Sequence, residues 1–66
     1  MGKTKITLRA ARHNAGMTQR EAAELLGVIP LTVSDWEIGK YKPVPERRPL
    51  IAAVYGVPQD FIDWGD

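Results

Sequence analysis

Three side chains in this 66-residue chain are of the kind that moves protons: His13, Asp35 and Glu37. General acid–base chemistry needs such a group within hydrogen-bond reach of a second one and of a substrate. None of the three has a partner at a telling spacing, and so short a chain has little room for a pocket. His13 falls near the end of a helical stretch, where a cation suits the helix dipole. With no cysteine there is no thiolate nucleophile, disulfide or thiolate zinc site, and a cytosolic origin is favoured. A single histidine supplies too few nitrogen ligands for an ordinary zinc centre. No catalytic residue, cofactor or metal is expected. The chemistry left to consider is recognition.

Recognition depends first on charge, and the net charge of +1 conceals a pattern. Residues 1–20 carry Lys3, Lys5, Arg9, Arg12 and Arg20 with no acid, whereas residues 21–39 carry Glu21, Glu24, Asp35 and Glu37 with no base. Lys40, Lys42, Arg47 and Arg48 then outweigh Glu46, and the last stretch holds only Asp60, Asp63 and Asp66. A fold that brought the first and third blocks to one face would build a basic surface on a nearly neutral protein. The alternative is that the charges are simply the solvated faces of small helices.

Helical periodicity dominates the elements that must position these groups, and no segment alternates convincingly as a strand. Thr7 is a plausible N-cap for a helix over 8–15, with Leu8, Ala11, Arg12 and Ala15 on one stripe and Gly16 as its stop. Thr18-Gln19-Arg20-Glu21 reads as a capping box opening a helix over 19–26, with Ala22, Ala23 and Leu26 inward. Gly27 ends it with a left-handed residue. Pro30 suits the first position of a third helix over 30–38, with Val33 and Trp36 inward and Leu31, Thr32, Ser34 and Asp35 outward. A fourth helix over 46–55 presents Leu50, Ile51, Ala53 and Val54, though Pro49 favours a later start; a fifth covers 58–64. The expected fold is all-α: one compact domain of five helices over residues 7–66, preceded by a flexible basic arm over 1–6. At this size only about 60% of the unfolded surface is buried. No apolar run approaches a membrane span, and no signal-peptide core follows Met1.

The stretch from Gln19 to Trp36 carries the most information. Two short helices meet at Gly27 with few residues between them, the spacing of a helix-turn-helix. Ala23 must be small for the second helix to cross it, and Leu26, Val28, Val33 and Trp36 form the apolar pocket that sets the crossing angle. An ordinary helical bundle with a tight corner accounts for these positions equally well. It does not account for the Thr18-Gln19 and Trp36-Glu37 pairs. The stretches concerned are Gly16-Met17-Thr18-Gln19, Ala23-Glu24-Leu25-Leu26-Gly27-Val28 and Val33-Ser34-Asp35-Trp36-Glu37-Ile38-Gly39. With Arg12 and Tyr55-Gly56-Val57, these resemble the lambda-repressor/Cro-like helix-turn-helix domains of phage and bacterial transcription regulators, over about Leu8 to Trp64.

The resemblance implies a sequence-specific transcriptional regulator that binds double-stranded DNA, with the second helix of the motif in the major groove. It makes Thr18 and Gln19 candidates for phosphate contact at a helix N-terminus, and Lys40, Tyr41 and Lys42 candidates for backbone contact after the recognition helix. Arg47 and Arg48 are weaker candidates, and Lys3 and Lys5 either form a basic arm or are a plain chain end. Arg12 and Glu37 match positions that pair as a largely buried, structural salt bridge. The base-reading candidates are Leu31, Thr32, Ser34 and Asp35. Here the chain departs from its relatives, since Ile29, Pro30 and Leu31 stand where polar caps, amides or arginines are common. Leu31 can touch a thymine methyl, and Asp35 can accept from cytosine N4.

That thin base readout leaves a second class of function open: a protein-interaction module on the same scaffold, such as an antirepressor. Its surface would use Leu31 and Ile38. Phe61 and Ile62 either close the core or, with the freer Trp64 at the helix end, form a patch for a weak homodimer or another partner. The expected location is the bacterial cytoplasm.

Overall fold

The computed structural model describes residues 4–66; Lys3, assigned above to the arm, lies outside them. In chain order the elements are β1 (Ile6–Thr7), α1 (Leu8–Asn14), α2 (Gln19–Leu26), α3 (Pro30–Glu37), α4 (Arg48–Tyr55) and β2 (Ile62–Asp63). Single 3-10 turns at Pro45–Arg47 and Gln59–Phe61 introduce α4 and β2.

Each helix end has a local cause. Thr7 Oγ1 accepts from the Ala10 amide at 3.1 Å and caps α1. At α2 the box closes both ways: the Glu21 amide donates to Thr18 Oγ1 at 3.1 Å, and the Thr18 amide to Glu21 Oε1 at 2.9 Å. The Glu21 carboxyl is held below its ordinary range by those bonds with Thr18. Gly27, at φ 71°, lets the Val28 amide reach back to the Ala23 carbonyl at 3.0 Å, which reverses the chain toward α3. The start of α3 is different. Ile29 occupies the N-cap and makes no side-chain capping bond, and Pro30 follows with no amide hydrogen to satisfy.

The core draws on every layer: Leu8 and Ala11 from α1, Ala22 and Leu26 from α2, Ile51, Ala52 and Tyr55 from α4, then Ile62 and Trp64. The α2–α3 pair is the most extensively packed. Ala23 and Val33 are both buried there, and Trp36 leans on the core half-buried. The size of Ala23 and the turn at Gly27 therefore set how α3 is presented.

Two expectations need correction. The fold is not five helices and not all-α. It has four α-helices and a two-stranded parallel sheet, with Ile6 opposite Ile62 and Thr7 opposite Asp63. The stretch read as a fifth helix makes one turn, closed by the Phe61 amide on the Pro58 carbonyl at 2.9 Å, and then extends. Extension lets Ile62 bury completely and pair with β1, a tertiary gain that a window-based helical reading does not contain. Ile6, assigned to the arm, is accordingly a half-buried strand residue. The second correction concerns α4. Its buried stripe is Ile51, Ala52 and Tyr55, while Leu50 and Ala53 face solvent, because the stripe that includes the large Tyr55 ring is the one turned inward.

Candidate nucleic-acid interface

The presentation of α3 is locked by one polar network beneath it. Arg12, on α1, lies side-on to Glu37 at the end of α3: Nε donates to Oε2 at 2.7 Å and Nη2 to Oε1 at 3.1 Å. Its remaining Nη1 donates to the Met17 carbonyl at 2.9 Å, in the loop between α1 and α2. Gln19 Nε2 donates to Glu37 Oε1 at 3.1 Å, so α2 joins as well. The paired side chains are only 7% and 4% exposed, which makes this a buried ion pair with most of its donors satisfied. Burial pushes the Glu37 carboxyl up, but the bonds from Arg12 and Gln19 and the charges of Arg12 and Arg9 more than offset it, leaving it below its ordinary range. The hydrogen bond to Glu37 raises the Arg12 guanidinium despite its burial. Burial, with the nearby Glu37 charge, pushes the Tyr55 phenol up to about 12.

Above that network, the outer side of α3 is open. Leu31 is 62% exposed; Thr32, Ser34 and Asp35 are half-buried and share the helix with it. These four base-reading candidates occupy the second helix of the motif. Lys40, Tyr41 and Lys42 follow it on an exposed loop, with Lys40 Nζ 5.7 Å from the centre of the Tyr41 ring. Lys42 Nζ stands 3.9 Å from Asp66, a loose and exposed contact. At the start of α2, the Thr18 hydroxyl and amide are both consumed by the capping box. The amides of Gln19 and Arg20, which have no intrahelical partner by position, are the donors left there. The Gln19 side chain itself is committed to Glu37.

A cleft beside this helix start brings together residues that the charge pattern alone did not single out. Arg9, Arg12 and His13 line it from α1, Gln19 from α2, and Glu37 and Ile38 from α3. Arg9 and His13 are one helical turn apart and both exposed. The signal was present as an i, i+4 pair of bases flanking Arg12 within an acid-free block. What was missing was the knowledge that α1 aligns with the start of α2.

The proposed patch of Phe61, Ile62 and Trp64 is not a surface. Ile62 is fully buried in β2, Trp64 is 8% exposed, and Phe61 is half-buried. The Trp64 indole donates to the Gln59 carbonyl at 3.1 Å, which turns its ring inward and satisfies its N–H. Arg48, a weak candidate for the nucleic-acid backbone, covers that ring at 5.2 Å and grips Asp66 with Nη1 and Nη2 at 2.7 and 2.9 Å. Arg47 donates to the Leu26 carbonyl at 3.3 Å, bracing the last turn of α2. Both arginines are thus tied into the fold. Among the described residues, no group of three or more histidines, acids or cysteines is placed to hold a metal, and no helix is long and apolar enough to cross a membrane.

Two helices crossing at a glycine turn, with the second one open to solvent and flanked by cations, define a helix-turn-helix module. Comparison with protein-family models agrees: the helix-turn-helix domain model matches residues 6–64. The chain belongs to the helix-turn-helix domain family, whose members are DNA-binding and typically non-enzymatic. Comparisons with curated proteins and with solved structures return no match.

Proposed function

We propose that this protein is a sequence-specific regulator of transcription, of the phage Cro or repressor type, that places α3 in the major groove of duplex DNA. The observation that carries the reading is the outer side of α3, with Leu31 exposed and Thr32, Ser34 and Asp35 half-buried, braced from beneath by the buried Arg12–Glu37–Gln19 network. Around it, the free amides at the start of α2, together with Arg9, Arg20, Lys40 and Lys42, supply the sequence-independent attraction to phosphate. Asp35 accepts from a cytosine N4 amino group, and Thr32 and Ser34 bond to bases or phosphates. Two copies act on a two-fold site, meeting through a surface other than Ile62 and Trp64, in the cytoplasm of a bacterial host.

Selection of bound duplexes from a random pool, followed by titration across a salt series, is the direct test. The reading expects a palindromic consensus with half-sites about one helical turn apart and a steep fall in affinity with salt. A second reading, a module that docks on another regulator, is favoured by the exposure of Leu25, Ile29, Leu31 and Ile38. Recovery of no preferred duplex, with weak and salt-independent binding, would turn the balance to it.

A further inference from the structure

We propose that Ile29 and Leu31 read the C5-methyl groups of pyrimidines in the major groove, so that the preferred site is defined by methyl positions more than by purine edges. The proposal rests on the DNA-binding reading above. Its first observation is what α3 lacks. From Pro30 to Glu37 the helix carries no arginine, lysine, asparagine or glutamine, the side chains that make bidentate bonds to guanine or adenine. The exposed cations lie on other segments, Arg9 on α1, Arg20 on α2 and Lys40 in the loop after α3. What the start of α3 offers the groove is aliphatic: Ile29 is 61% exposed and Leu31 62%. The one feature of the major-groove floor that an aliphatic group complements is the pyrimidine C5-methyl.

The second observation is an apolar N-cap turned to solvent. A helix N-cap normally carries Ser, Thr, Asn or Asp, as α1 and α2 do with Thr7 and Thr18, while α4 carries the charged Arg47 without a capping bond. At α3 that position is Ile29, which makes no capping bond and is turned to solvent instead of into the core. Neither helix stability nor core packing accounts for an isoleucine there. A ligand with an apolar feature does. The acidic Asp35, further along the same helix, repels phosphate and disfavours a docking mode in which α3 lies against the backbone rather than the bases.

Thymine and 5-methylcytosine both present this methyl group, and the experiment separates them. Duplexes selected by the full chain are resynthesised with deoxyuridine in place of thymidine, one position at a time, which removes the methyl and preserves pairing. Titrations at low salt keep phosphate contacts strong enough to compare variants. Affinity is expected to fall about fourfold at one or more positions in each half-site, the equivalent of one buried methyl group. Exchanging cytosine for 5-methylcytosine next to those positions tightens binding if any C5-methyl is read and changes nothing if thymine alone is used; either result supports the proposal. Leu31→Ala and Ile29→Ala should lessen the deoxyuridine penalty, whereas Leu25→Ala, on α2 and 59% exposed, should leave it intact. Wild-type binding within twofold on all deoxyuridine duplexes overturns the inference while leaving DNA binding standing, as does a penalty undiminished in both α3 variants. Failure to select any duplex removes the reading on which it rests.

Discussion

Arg12 and Glu37 meet with two parallel bonds, Nε to Oε2 at 2.7 Å and Nη2 to Oε1 at 3.1 Å, and thereby join the first helix to the end of the third. Removing one partner leaves the other charged and buried. Arg12→Ala and Glu37→Ala are each expected to destabilise the domain by about 3 kcal/mol or more. Replacing both together by alanine should cost clearly less than the sum of the two single losses. Urea unfolding of the four proteins gives the coupling directly, and strictly additive losses would contradict it.

The same site predicts opposite behaviour at the two ends of the pH scale. The folded Glu37 carboxyl lies below its ordinary value of 4.5, so its contribution is present above that value and is lost as pH falls through the lowered one. Glu37→Gln, which keeps a hydrogen-bond acceptor, should flatten the acid limb of a stability–pH curve. The folded Tyr55 phenol is raised from 10.0 to about 12, so its contribution is present below 10.0 and is lost as pH climbs between the two. Tyr55→Phe should remove up to about 3 kcal/mol of alkaline destabilisation. Thermal melts of each variant beside the parent across both limbs provide the check.

The helix junctions before and after α2 are separable by mutation. Thr18→Ala removes the N-cap of α2 and half of the capping box, at a cost of about 1 kcal/mol. Gly27→Ala meets no atom within 4 Å, so its cost of about 1–2 kcal/mol arises from the backbone at φ 71° and not from a clash. A larger residue at Gly27 should therefore cost about the same as alanine. A steep dependence on side-chain size, measured by thermal denaturation, would show that space rather than conformation is limiting.

Fold legibility varied with how local its causes were. The capping box at Thr18, the reversal at Gly27 and the start at Pro30 are each written in a few adjacent residues, and the helices around them fall where their periodicity places them, within about one residue. The end of the chain was not legible in this way. Gln59 to Trp64 carries a helical spacing of apolar residues, but its conformation is decided by Ile6, more than fifty residues away, through a strand pair too short to show alternation. The site divides similarly. The order of residues on α3 shows which side chains share the helix, whereas the alignment of Arg9 and His13 with the start of α2 requires the helix packing. Arg48 was ambiguous as a surface base because its partners, Trp64 and Asp66, lie well beyond any local window.

On the DNA-binding reading, Arg9 in the cleft and Lys40 in the loop after α3 should act on affinity without touching sequence preference. Arg9→Ala and Lys40→Ala are each expected to lower the salt slope by about one and to weaken all duplexes alike. Thr32→Ala and Asp35→Ala should instead change the relative affinity of sites that differ at single base pairs. Competition titrations on a matched set of duplexes separate the two kinds of effect. A change of base preference in Arg9→Ala would move that residue from the phosphates to the bases.

The pairing of Ile6 with Ile62 bears on how the molecule would respond to force. Because β1 and β2 run parallel, a pull on the chain before β1 and after β2 drags the strands past each other along their length. Their cross-bonds are then strained together, in shear, rather than opened one after another as in a hairpin pulled at its free ends. Traction on the flanking chain would meet this two-residue clasp before it reached α1, Arg12 and the orientation of α3.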